Sequence, residues 1–505
     1  MALPNRRYFT TPIYYVNGRP HLGNAYTMVV TDSFARWHRL LGEEVFFLTG
    51  TDEHGQKVAD AAREHGLEPR AWADSMAVNF VDAWRKLGIR YDDFIRTTEE
   101  RHYRTVQSFL TKINDAGYLY KSTYSGLYCV SCEAYYTEAE LLEGELCPVH
   151  LRAVTHMAEE NYFFKLSAFT DRLLEWYDAM PDAVFPQTRR NEALGFIASG
   201  LEDISITRTS IDWGVPVPWD HDHVFYVWYD ALINYLTAIG YGEDEATFEK
   251  WWPVVHHILG KDIIRFHCVW WPAMCMAAGI EPPRRLIVHG WLLAGGEKMS
   301  KSRGNNVDPL VVVDEYGLDA LRYYLLRDST FGADGDFTYE GLAQRYNSDL
   351  ANNYGNLAQR VVAITSSKLG GVAPHPPSQP PEIFEFEARV ARAIGGWNEF
   401  APHEALEATW ELIRAANAHL EANEPWKSND TSLISDVLGS CLEVLRVVSH
   451  LASPALIEST SKVLERIGID PTNEDREELF SWGAYPGGRQ LVKGEPLFPR
   501  LNVNE

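Results

Sequence analysis

Between Arg7 and Leu41 the chain passes from an aromatic, β-branched run (RYFTTPIYY) through an Asn17-Gly18 turn into a different pattern. From Ala25, apolar residues fall at Val29, Val30, Phe34, Trp37 and Leu41, and the pattern stops at Gly42. The first run reads as a buried strand and the second as a helix. A strand feeding a helix through a tight turn is the unit of parallel, doubly wound sheets. The unit recurs with a strand at Val45 to Gly50, a helix from Gly55, and strands at His223 to Trp228, His256 to Leu259 and Leu286 to Trp291. The expected class is α/β: a Rossmann-like doubly wound parallel sheet carrying an insertion, followed by an all-α helical bundle. The expected divisions are 1–116 and 215–308 for the halves of the sheet domain and 117–214 for the insertion. A helical linker takes 309–343 and the bundle 344–505, the latter interrupted by a Pro-rich loop at Pro374 to Pro381.

The turn at the head of the first helix reads His21-Leu22-Gly23-Asn24. A strand–turn–helix junction aims backbone N–H groups and the positive helix end at whatever binds there. Gly23 leaves room for a flat base or ribose, and His21 can donate to phosphate oxygens. Alone, such a turn is read first as a histidine that caps its helix. Far downstream, Lys298-Met299-Ser300-Lys301-Ser302 follows Ala294-Gly295-Gly296-Glu297. Two long-stemmed cations on a pliant loop suit phosphate, delivered when charge develops; alone, they are a solvated basic turn.

Three of the six cysteines cluster: Cys129-Val-Ser-Cys132, then, after fourteen intervening residues, Cys147-Pro-Val-His150. Two closely spaced ligand pairs flanking a short segment suit tetrahedral, closed, structural zinc. The alternatives are a disulfide, disfavoured in a reducing compartment, and a knuckle that keeps its shape without metal. Cys268, Cys275 and Cys441 sit in apolar surroundings and read as core.

At 505 residues the chain exceeds one ordinary core. No apolar stretch reaches membrane-spanning length, and a strand begins almost at the N-terminus, so the expectation is no targeting peptide and a cytoplasmic location. The formal charge of −24 argues by itself against a nucleic-acid partner.

Ligands of such sheets bind at the carboxyl ends of strands where the strand order reverses. Three segments are expected there. Thr49 to Gln56 would leave a strand with Asp52, Glu53 and His54 exposed in a loop. Val227 to Tyr235 would set Trp228, Ala231 and Tyr235 on one helical face, and Gly260-Lys261-Asp262 would follow a strand, with Ile263 and His267 one turn apart. Taken singly, Trp228 and Tyr235 read as core before pocket.

Together and in this order, the His21 turn and the Lys298 loop resemble the two ATP-handling motifs of class I aminoacyl-tRNA synthetases, written HIGH and KMSKS. Over nearly the whole chain the filling resembles methionyl-tRNA synthetases, particularly the bacterial kind with one zinc knuckle. The resemblance implies that Ile13, Tyr15, Trp228, Ala231, Leu232, Tyr235, Ile263 and His267 line a methionine side-chain pocket and that Asp52 holds the ammonium. It further implies Gly23, Gly260 and Asp262 on adenine or ribose, His21 with Asn24 on the phosphates, and Lys298 and Lys301 on the leaving pyrophosphate. Asn356, Arg360 and Trp426 match the readers of a CAU anticodon, by stacking and donation to single-stranded bases. The implied cofactors are Mg2+ with ATP and structural Zn2+ at Cys129, Cys132, Cys147 and His150. The implied partners are L-methionine, ATP and tRNA(Met), initiator included, with no membrane.

Such a tRNA needs only a local basic surface, which net charge does not locate. Asn24 departs from the usual histidine: an amide donates but cannot become cationic. No dimerisation appendage is recognised, so a monomer is expected. The rival readings are a synthetase for leucine, isoleucine or valine, which usually carries a larger editing insertion, and a paralogue that binds tRNA without charging it.

Overall fold

Tyr8, Phe9 and Thr10 of the first strand, Arg6–Thr10, are fully buried, as in a central strand of a sheet covered on both faces, and a strand lies on each side of it. In this computed structural model, which describes residues 5–129, 134–136, 141–148, 152–299, 305–471 and 474–501, seven strands form one sheet. Their order is Tyr14–Tyr15, Glu44–Asp52, Arg6–Thr10, Val255–Gly260, Arg285–His289 and Val184–Phe185, with Asp93–Arg96 also paired to Glu44–Asp52. The registered pairs are all parallel. From Arg6–Thr10 the sheet grows outward to Glu44–Asp52, and from Val255–Gly260 it grows the opposite way. The order therefore reverses between those two central neighbours, and beyond their carboxyl ends lies the position where such sheets take ligands.

Three details differ from the expectation. The first run is two strands, because Pro12 has no N–H to give a ladder. The segment His223 to Trp228 does not join the parallel sheet; only Val224–Phe225 is extended, paired antiparallel to Thr207–Arg208, and the chain then turns into the helix Val227–Ala231. The edge strand Val184–Phe185 comes from within 117–214, the segment set apart as an insertion. Elsewhere in that segment, beside the helices Thr170–Ala179 and Gln187–Ala198, an antiparallel sheet pairs Leu119–Cys129 with Thr155–Phe164 from Leu119↔Phe164 to Tyr128↔Thr155.

The chain divides into two compact units: residues 1–20, 45–85 and 90–289 hold the parallel sheet, and 21–44, 86–89 and 290–505 form the second unit. In the second, the helix Leu22–Leu40 lies with a small sheet and the helical C-terminal region. Its core contains a fully buried cation. Arg322 pairs with Asp32 of that helix at 2.7 Å and donates to the carbonyls of Pro454 (2.9 Å), Ala455 (3.2 Å) and Leu87 (3.2 Å). Trp37 stacks on Trp397 and donates to Asn398 at 2.8 Å. The attraction within a buried ion pair offsets desolvation only when further hydrogen bonds satisfy the charged groups, and these bonds tie the helix to Leu87, Pro454 and Ala455 within its unit. Among the described residues, no helix is long and apolar enough to cross a membrane.

Candidate active site

In the sheet unit, Tyr15 lies opposite Asp52 in the register of neighbouring strands. Asp52, Glu53 and His54 are not exposed: their relative exposures are 4%, 0% and 1%. The loop is buried because its polar groups are taken up by the protein. Glu53 accepts from Arg96 Nε (2.6 Å) and Nη2 (3.0 Å), Thr51 Oγ1 (2.7 Å) and Thr98 Oγ1 (2.5 Å). Its N–H donates to Thr97 Oγ1 at 2.9 Å, and its carbonyl accepts from Trp213 Nε1 at 2.6 Å. Next to it, His54 Nδ1 meets Asp230 Oδ2 at 2.5 Å, and His102 Nε2 meets the other carboxylate oxygen at 2.7 Å. Burial pushes the Asp230 carboxyl up, but the two imidazoles outweigh it and hold the pKa at about 2.

The residues expected to line a methionine pocket gather on the same core. Trp228 meets Tyr15 and His267 edge-on, each at 6.5 Å between ring centroids, and Ile13 and Ile263 pack against that core. Ala231 and Leu232 are buried on the Trp228 helix or at its end, and Tyr235 follows on the next. The carbonyl of Ile263 lies 3.2 Å from His267 Nδ1, so Nδ1 carries the proton and Nε2 accepts from Tyr235 Oη at 2.7 Å. Burial lowers the His267 pKa to about 4, so the ring is a neutral wall near pH 7. Phe266, stacked 3.8 Å from Trp228, was not foreseen, although it adjoins His267. Nor was the Asp230–His102 link, whose signal is an aspartate inside the apolar run VWYDALINY.

Gly260 ends its strand with φ −76°, which any residue adopts, but a Cβ there would lie 2.7 Å from Asp262 Oδ1. A side chain there would have to displace the Asp262 carboxylate.

In the second unit, His21 is the N-cap of Leu22–Leu40. Its Nδ1 accepts from Gly23 N–H at 3.0 Å, while its own N–H donates to Asn24 Oδ1 at 3.1 Å. This reciprocal box satisfies two helix-end donors and places the neutral ring's proton on Nε2. Capping and donation to a ligand are therefore compatible, and Asn24 has a structural use that histidine would fill differently. Leu22 N–H donates to Val307 O at 2.9 Å, so the first signature turn is tied to the segment that follows the second. The second begins in a hairpin of Leu292–Ala294 with Glu297–Lys298, turned by Gly295 and Gly296 at φ +64° and +79°. Lys301 lies outside the described residues.

On the helix Asn356–Lys368, Arg360 lies 5.0 Å from the Trp426 ring and 2.8 Å from Glu421, while Asn356 meets Asn417 at 3.5 Å. Trp426 is half-buried. Cys129 and Cys147 share a small buried cluster with Leu127 and Val154, whereas Cys132 and His150 lie outside the described residues. Among the described residues no group of three or more His, Cys, Asp and Glu is placed to hold a metal. Cys268, Cys275 and Cys441 are core, as their sequence surroundings suggest.

A parallel sheet with a reversal point, a capped HIGH-like turn and a Gly-Gly hairpin leading into KMSKS define a class I synthetase. The family model described as tRNA synthetases class I (M) matches residues 7–156 and 140–362. The chain is 44% identical to the methionine–tRNA ligase of Thermotoga maritima, over 99% of this chain and 81% of that protein. It is 43% identical to that of Streptomyces coelicolor, over 98% and 96%. The structure is similar to Mycobacterium tuberculosis methionyl-tRNA synthetase in complex with methionyl-adenylate: TM-score 0.93, 41% identity, 98% of this chain and 100% of that one. The chain belongs to the methionyl-tRNA synthetase family. Its activity is that of an ATP-dependent ligase that activates methionine and charges tRNA with it.

Proposed function

We propose the following division of labour for that activity. Methionine lies with its side chain against Ile13, Tyr15, Trp228, Ala231, Leu232, Tyr235, Ile263 and His267, and with its ammonium on Asp52. Its carboxylate attacks the α-phosphate of magnesium-bound ATP, giving methionyl-adenylate and pyrophosphate. Gly23, Gly260 and Asp262 hold the nucleoside, His21 and Asn24 the phosphates, and Lys298 and Lys301 the departing pyrophosphate. The 2′-hydroxyl of the terminal adenosine of tRNA(Met), initiator included, then takes the methionyl group. No side chain acts as nucleophile; positioning and charge stabilisation carry both steps. Asn356, Arg360 and Trp426 read the anticodon, and the five-part domain division stands with this reading.

The observation that carries it is the aromatic wall of Tyr15, Trp228, Tyr235 and His267, with Tyr15 in register with Asp52. An apolar pocket beside one carboxylate suits an uncharged side chain next to an ammonium. Amino-acid-dependent ATP–pyrophosphate exchange across a panel tests it: methionine should dominate, and equal exchange with leucine, isoleucine or valine would overturn it. Lys301→Ala should slow adenylate formation by about 10²–10³ at nearly constant methionine affinity.

Structural zinc at Cys129, Cys132, Cys147 and His150 is also proposed, supported by the burial of Cys129 and Cys147 in one small cluster and by a donor set suited to the metal. When bound, it would pin the insertion. Metal analysis should find one zinc per chain, and zinc-free protein purified without chelators ends the idea. A cytoplasmic monomer completes the proposal.

A further inference from the structure

Both oxygens of the fully buried Asp230 face imidazole nitrogens, His54 at 2.5 Å and His102 at 2.7 Å. The cluster extends further. His54 Nε2 meets Tyr103 Oη at 2.9 Å, His102 Nδ1 meets Thr237 Oγ1 at 3.1 Å, and the His54 ring packs edge-on against Trp213. The contacts thus join the loop after Glu44–Asp52, the helix Glu100–Asp115 and the helices Val227–Ala231 and Asn234–Thr237.

Stability alone gives little reason for such a cluster. Buried charged pairs cost desolvation that apolar residues of the same size avoid, and their replacement is often neutral or stabilising. What the cluster supplies is geometry. His54 lies two residues beyond Asp52, and Asp230 lies two beyond Trp228 and one before Ala231. The link between His54 and Asp230 therefore connects the acid at one end of the amino-acid site to the wall at the other. On its far side, Glu53 anchors the same loop to Arg96 and Thr98. An error of about 1 Å in such a spacing can cost about 10²-fold in rate.

We propose that Asp230 is a positioning residue for methionine activation: through His54 it sets the spacing between Asp52 and the Trp228–Tyr235 wall. The inference rests on the assignment of Asp52 and that wall to methionine. Asp230 touches no substrate. It acts by holding the carboxylate and the aromatic wall in one register, so that the ammonium and the thioether are recognised together.

The test is ATP–pyrophosphate exchange with the full chain carrying Asp230→Asn, Asp52→Asn and both substitutions. Asp230→Asn should raise KM for methionine about ten- to a hundredfold, the loss of a hydrogen bond to a charged group, while KM for ATP stays within about twofold. The double variant should show less than the product of the single effects, since both act on one contact. Multiplicative effects, or methionine and ATP parameters deteriorating together, would refute positioning. A change of KM for methionine with Asp230→Asn but none with Asp52→Asn would instead sink the assignment of Asp52. Should Asp230→Asn fail to fold, Tyr103→Phe removes one hydroxyl from a half-buried ring. A severalfold rise in KM for methionine at unchanged Tm supports the proposal, and an unchanged KM overturns it.

Discussion

The Asp52–His54 loop and the Arg360–Trp426 face both combine charge with aromatic rings, yet they are built in opposite ways. In the loop, Glu53 accepts four hydrogen bonds on a fully buried carboxylate, and His54 is clamped by Asp230 and Tyr103. At the helical face, Arg360 rests over Trp426 and pairs with a Glu421 whose side chain is 65% exposed. Exposed pairs contribute about 0–1 kcal/mol, so an incoming anion or base can replace them at little cost. Buried pairs cannot be exchanged that way. One region has its geometry built in, which suits the chemistry proposed for it on a small substrate; the other keeps its partners replaceable, which suits the recognition of single-stranded bases proposed for it.

The largest effect follows directly from that difference. Glu53→Ala leaves Arg96 with Asp74 as its remaining carboxylate and strands two threonine hydroxyls. It should cost about 3–5 kcal/mol of stability, read from denaturant midpoints. Arg360→Ala should cost less than about 1 kcal/mol by the same measurement. Similar costs for the two would erase the contrast.

Trp426→Ala sharpens it from the other side. Stacking of one base contributes about 1–3 kcal/mol, so the use of tRNA in aminoacylation should fall about ten- to a few hundredfold while pyrophosphate exchange is kept. A drop of about 3–5 kcal/mol in stability, with exchange impaired, would make Trp426 a core residue and leave the anticodon to Asn356 and Arg360.

A pH series probes the buried side. Above pH 6.5 His267 is neutral whether the chain is folded or not, and it adds no slope. Its pKa falls from 6.5 to about 4 on folding, so between those values the unfolded chain binds a proton that the folded one refuses. Stability is therefore lost as pH falls through that window. From about pH 7.5 to 5 the wild type should lose about 2 kcal/mol more than His267→Gln in urea unfolding. Parallel curves would mean that the ring takes up its proton as readily in the folded chain as in the unfolded one.

Much of this was legible from residue patterns. The strand–turn–helix opening, the helical bundle and the two signature segments stand out because backbone geometry and motif chemistry are local. The places where reading failed are those decided by distant partners. Asp52-Glu53-His54 looks like an exposed polar loop, and it is buried because Arg96, Thr98 and Asp230 arrive from elsewhere. His223 to Trp228 has a strand's composition, but Val224–Phe225 pairs with Thr207–Arg208, outside the main sheet. Phe266 carries no motif and is found only by its stack on Trp228. Pairing across sequence distance, not composition, decided each case.

The smallest expected effect isolates function from stability at the end of a central strand. A methyl on Gly260 would stand 2.7 Å from Asp262 Oδ1 and 3.5 Å from His289 Cε1, while the backbone at φ −76° accepts any residue. The Asp262 side chain is exposed and the atom met is the far end of a flexible side chain, which can shift away from the methyl, so Gly260→Ala should change stability by less than about 0.5 kcal/mol. The same shift moves the carboxylate proposed to hold the nucleoside. KM for ATP should rise by about three- to tenfold, as expected for one weakened hydrogen bond of about 1 kcal/mol, with KM for methionine nearly constant. Asp262→Ala provides the limit: once the carboxylate is absent, adding Gly260→Ala should do little more. A full further loss in the double variant would place the methyl against the nucleotide itself and remove Asp262 from the argument.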